Sequence, residues 1–155
     1  MINYSRETLA YHEAGHAVVG VAIGRTLKTV SILPDPVYGK PGCHFEAPGD
    51  TLEEHYMVAV TAAAGALAEE RGMGIADPAG SKSDRAEFAE ACHRATGSLH
   101  NEPFIQHARH KAKVLVENHW VAIAEIVKRL LTVNTMCEFE VRTVVEADGK
   151  PCISP

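Results

Sequence analysis

The sequence predicts an α+β domain, predominantly helical, with a small β-sheet beside its first helix and a helical bundle towards its end. Three observations carry this expectation. Two runs rich in Ala, Val and Leu, 8–24 and 51–71, each follow residues suited to capping a helix. One short run is β-branched at Thr29, Val30 and Ile32 and is closed by Pro34 and Pro36. From Pro103 to about Asn134 the pattern is helical but too long for one ordinary helix.

The first helix is expected to start after Ser5, with Glu7 near its positive end, and to stop near Gly24. Gly15, Gly20 and Gly24 weaken its intrinsic helicity by up to ~1 kcal/mol each relative to Ala. Packing must therefore hold it, and the small residues let a neighbour come close. Residues 28–33 read as a strand, and 43–46 as a short second strand paired with it after a turn-rich stretch, 34–42. Asp50 or Thr51 caps a second helix, whose middle, 58–67, is small and apolar nearly all round and belongs in the core. Residues 72–81 form a loop, and 83–95 a third helix. Pro103 suits the first turn of a fourth helix, with a break at Asn118-His119. A last short helix covers 138–146, although Val141, Val144 and Val145 would also suit a strand.

A chain of 155 residues is expected to form a single domain, 1–155, with a real core. A net charge of −5 gives no reason to expect nucleic acid or an anionic membrane as partner. No segment reaches the roughly 18 apolar residues that span a bilayer, and the N-terminus lacks a basic segment followed by an apolar one. Cys43, Cys92, Cys137 and Cys152 are widely spaced and form no C-x-x-C pair, which points to free thiols in a cytoplasmic setting.

The chemistry concentrates on the first helix. His12 and His16 are four apart and project from one helical face, where two imidazoles can bind one zinc ion. Glu13 is adjacent and can reach a water on the open position of such a metal, as its general base. Two imidazoles and a carboxylate inside an apolar helix would be costly without such a purpose. A catalytic zinc needs a third protein ligand, and on chemistry alone Glu69, Glu70 and Asp84 all qualify.

The segment Ala10-Tyr-His-Glu-Ala-Gly-His-Ala-Val-Val-Gly20 resembles the zinc helix in the peptidase domain of the FtsH-type ATP-dependent zinc proteases. Ala63-Ala-Gly-Ala-Leu-Ala-Glu-Glu70 is similar to that family's small-residue helix ending in paired glutamates. Gly80-Ser-Lys-Ser-Asp84 is similar to its glycine-led loop ending in the ligand aspartate. The strand 29–33 and Glu117-Asn-His-Trp120 also suit the family, and the likeness runs from about residue 5 to 145. The resemblance implies His12, His16 and Asp84 as zinc ligands and Glu13 as general base. Glu69 or Glu70 then becomes a support for a ligand histidine or an ordinary helix-end carboxylate. Ser83 and Arg85 stand where the family usually has asparagine and leucine around the aspartate, and Ala66 where it has arginine.

No G-x-x-x-x-G-K-[ST] phosphate loop is present, and neither Gly39-Lys40 nor Gly24-Arg25 fits that spacing. The expectation is a zinc metallopeptidase without its own ATPase, acting on peptides or unstructured protein segments or borrowing a separate ATPase partner. A catalytically silent zinc module and a metal-free interaction domain are the alternatives. An edge at strand 29–33 is a candidate to hold an extended substrate. His44 and His55 are candidates for oxyanion support, with plain surface positions as the alternative, and His107 and His110 are expected to face solvent. Trp120, Val121, Ile123, Ile126, Val127, Leu130 and Leu131 read as core, with a homo-oligomer interface as the alternative.

Overall fold

The computed structural model describes residues 5–34, 36–37, 39, 41–77 and 81–148. Gly80 and Cys152 lie outside the described residues, as do the first four positions and parts of the two turn-rich segments. The described chain is a predominantly helical α+β fold, as the sequence predicts, with six helices and a three-stranded antiparallel sheet.

Helix α1 (Arg6–Ala22) opens on Ser5, whose side chain accepts from the Thr8 N–H. It ends in a Schellman motif: the Arg25 N–H donates to the Gly20 carbonyl and the Gly24 N–H to that of Val21, with Gly24 at φ +104°. Helix α1 is the hub, packed on α2 (Leu52–Met73), α5 (Trp120–Val133) and α6 (Glu138–Ala147). The approach to α2 needs glycine. A Cβ on Gly15 would lie 2.6 Å from the Ala68 Cβ and 2.8 Å from the Ala64 carbonyl oxygen, so the two helices meet backbone to methyl.

Thr51 caps α2 by accepting from the Glu54 N–H, and Gly74 closes it in the left-handed conformation. The helix is therefore longer than expected, running through Gly72 to Met73. Helix α3 (Lys82–Thr96) follows, and α4 (Glu102–Asn118) starts with proline in its first turn. The chain breaks between α4 and α5 at His119, as its sequence suggests.

The sheet order is β2 (Gly42–Phe45), β1 (Leu27–Ser31), β3 (Thr135–Cys137). Val30 pairs with Cys43 on one side and Met136 on the other. This corrects the expectation that residues 29–33 offer an edge. Strand β1 ends at Ser31 and is central, because the segment after α5 returns to pair with its second side. The edge nearest the first helix's polar groups is β2.

Ile123, Ile126, Val127 and Leu130 are buried on the inner face of α5, while Val121 is exposed. Cys43, Cys92 and Cys137 are free thiols. No helix among the described residues is long and apolar enough to cross a membrane.

Candidate metal centre

Two helices bring His12, His16 and Asp84 together. The histidines lie one turn apart on α1, and Asp84 sits in the first turn of α3, where the helix dipole favours a carboxylate. Asp84 Oδ2 is 2.8 Å from His12 Nε2 and 3.3 Å from His16 Nε2, and the two Nε2 atoms are 3.0 Å apart. These separations are close to the roughly 3.3 Å between neighbouring ligands bound at about 2.0–2.1 Å to a tetrahedral zinc. Two imidazole nitrogens and one carboxylate oxygen form a donor set able to hold a metal ion.

The far side of each ring is tethered. His16 Nδ1–H donates to the Thr61 carbonyl oxygen at 2.8 Å, and a carbonyl only accepts, so Nδ1 keeps a proton and Nε2 is the nitrogen left for a metal. His12 Nδ1 is 2.9 Å from Glu69 Oε2, which likewise ties a proton to Nδ1 and turns Nε2 towards the other donors. Glu69 is 0% exposed, and its other oxygen accepts from the Asp77 N–H at 2.7 Å. One buried carboxylate therefore orients a donor ring and holds the backbone at Asp77. Glu70, its neighbour in sequence, is exposed.

Room for the rings comes from Gly65. A Cβ there would lie 2.9 Å from His12 Nε2 and closer still to His16 Nε2. Electrostatics match the geometry. Burial pulls the His16 imidazole down, but the Asp84 and Glu13 carboxylates outweigh it and raise its pKa to about 9. Burial works against the Asp84 carboxylate too, yet hydrogen bonds and charge from both histidines hold it well below the usual carboxylate range.

The donors open into a cleft of about 740 Å³ between α1, α3 and β2, and the Glu13 side chain, 7% exposed, lines it with them. Cys43 of β2 reaches back to α1, its thiol donating to the Glu13 carbonyl oxygen at 3.1 Å. Burial and then the Glu13 carboxylate push this thiol's pKa well up, which favours its protonated form. His44 also lines the cleft, whereas His55 is buried in α2 away from the donors. His107 and His110 are exposed. Ser83 and Arg85, which flank Asp84, are exposed as well.

No protein-family model matches the chain, and no curated protein matches it.

Proposed function

We propose that the chain is a zinc-dependent metallopeptidase whose centre is similar to that of the FtsH-type peptidase domains. The observation that supports this reading best is the carboxylate of Glu13, which lines the same cleft as the three converging donors, on the helix that carries two of them. Held by His12, His16 and Asp84, a zinc ion would supply a Lewis acid for a scissile carbonyl and a water of pKa about 7.

The chain's own residues account for the remaining work. Glu69 and Thr61 hold the imidazoles with both Nε2 lone pairs turned to one point. Glu13 takes the proton of the attacking water and passes it to the leaving amine. Strand β2, at the sheet edge and along the cleft, suits main-chain pairing with an extended substrate, the role expected of residues 29–33. Peptides and unstructured segments are the substrates in this reading, and a separate ATPase partner would be needed to present folded proteins.

Metal analysis of the chain purified without added zinc should find about one zinc per molecule, lost in Asp84→Ala. Peptide or casein cleavage by the wild type and not by zinc-loaded Glu13→Gln would establish the peptidase. Equal cleavage by both proteins would overturn the role of Glu13. Zinc without cleavage of any substrate would leave a silent zinc module.

A further inference from the structure

The geometry points to Arg25 as a specificity residue that binds a carboxylate of the substrate, either an acidic side chain near the scissile bond or the peptide's C-terminus. This deepens, and rests on, the peptidase reading.

Arg25 is the only lysine or arginine among the described residues lining the cleft of His12, Glu13 and His16. Its backbone is fixed as the last residue of the Schellman motif that ends α1. Its side chain is fixed by Phe45, with the guanidinium carbon 4.2 Å from the ring centroid. Phe45 in turn packs on the bare backbone of Gly20, where any Cβ would enter the ring. Gly20 lies one turn beyond His16 on the same face. The metal donors, the aromatic ring and the cation therefore follow one another along a single helical line. By helical rise the guanidinium sits on the order of 6–10 Å from the donors, two or three residues of an extended peptide.

The cation also stands apart from the described carboxylates. Among the described residues no carboxylate lies within ion-pairing distance of Arg25. Burial lowers its pKa, and Glu87 offsets this only by longer-range attraction. Glu87 and Glu46 stand at the cleft but are exposed, so water screens their repulsion of an incoming anion. A guanidinium that is partly desolvated, stacked and pre-oriented gains most from a carboxylate, which it can meet with two parallel hydrogen bonds.

The test uses zinc-loaded protein and matched peptides. One pair carries Glu or Gln at the first to third position on either side of the scissile bond, and a second pair ends in a free carboxylate or an amide. Wild type should favour the acid over its neutral isostere by roughly tenfold or more in kcat/KM. Arg25→Gln should bring that ratio close to one, Arg25→Lys should keep part of it, and Arg25→Glu should reverse it towards Lys-containing peptides. Whichever pair responds identifies the source of the carboxylate. Binding of the same pairs to zinc-loaded Glu13→Gln gives a readout that needs no turnover. If no peptide is cut but this preference in Kd is present and lost with Arg25→Gln, the peptidase reading fails and the carboxylate site stands. A wild type that treats acid and isostere alike in both assays, or an Arg25→Gln protein that keeps the preference, overturns the assignment.

Discussion

Glu69 Oε2 lies 2.9 Å from His12 Nδ1 while Oε1 of the same carboxylate takes the Asp77 N–H at 2.7 Å, so one buried side chain serves a ring and a backbone at once. Glutamine at this position has one acceptor for two donors. Glu69→Gln should therefore weaken zinc binding by about 10- to 100-fold and cost roughly 1–3 kcal/mol of folding stability. Glu70→Gln, at an exposed site, should change neither. Competition with a chromogenic chelator and urea unfolding of the metal-free proteins measure the two effects. Equal affinities for the two variants would remove Glu69 from the centre.

Gly65 leaves space that two imidazoles occupy. Gly65→Ala should lose most zinc affinity, because the new methyl group displaces the Nε2 atoms, and should destabilise the fold by ~1–3 kcal/mol. Gly15→Ala should destabilise by a similar ~1–3 kcal/mol although alanine is the better helix former by up to ~1 kcal/mol, since its methyl group meets Ala68 and the backbone of α2. Thermal unfolding of both variants checks this, and a rise in Tm for Gly15→Ala would contradict the helix contact.

The pH dependence of the metal-free chain follows from His16 and Asp84. His16 is raised from 6.5 to about 9, so its stabilising pairing is complete below about pH 6.5 and disappears as pH rises through about 9. Asp84 is depressed, so its contribution is present above its unfolded value of 3.8 and is lost in stronger acid. Urea unfolding should show wild type losing stability from pH 6.5 to 9 relative to Asp84→Asn, in which the pairing is absent. Parallel profiles for the two proteins would refute it. Metal binding displaces the His16 proton, so zinc affinity should climb over the same interval.

Cys43 and Cys137 should differ in reactivity. The Cys43 thiol is held protonated by burial and by Glu13, whereas Cys137 is exposed. Iodoacetamide at neutral pH, followed by peptide mapping, should label Cys137 first. Glu13→Gln should speed labelling of Cys43, because it removes a negative charge beside the forming thiolate. An unchanged rate would separate the two side chains.

Local features of the fold were legible in sequence because they depend on a few neighbouring residues. Ser5 and Thr51 cap where expected, and the helices part at His119. Strand β3 escaped notice because three residues, Thr135–Cys137, gain their conformation from pairing with a strand more than 100 positions earlier. The same pairing made β1 central. At the centre, the spacing of His12, Glu13 and His16 singled out α1, but spacing left Glu69, Glu70 and Asp84 as equals, and resemblance alone favoured Asp84. Consecutive helical residues point about 100° apart, and only the docking of α2 on α1 turns Glu69 inward. The Thr61 tether is a backbone carbonyl, to which no residue type gives a clue.

The reciprocal glycines have a consequence for how the molecule loosens. Gly15 admits α2 to α1, and Gly65 admits the rings of α1 to α2, while both Nδ1 tethers cross that same seam. A separation of the two helices by about an ångström would take both hydrogen bonds past their useful length together. Ligand geometry and helix spacing are thus one mechanical variable, and metal affinity becomes a gauge of how tightly the seam is shut. Heat, denaturant or a distant core substitution that opens the seam should register as metal release before the helices themselves melt.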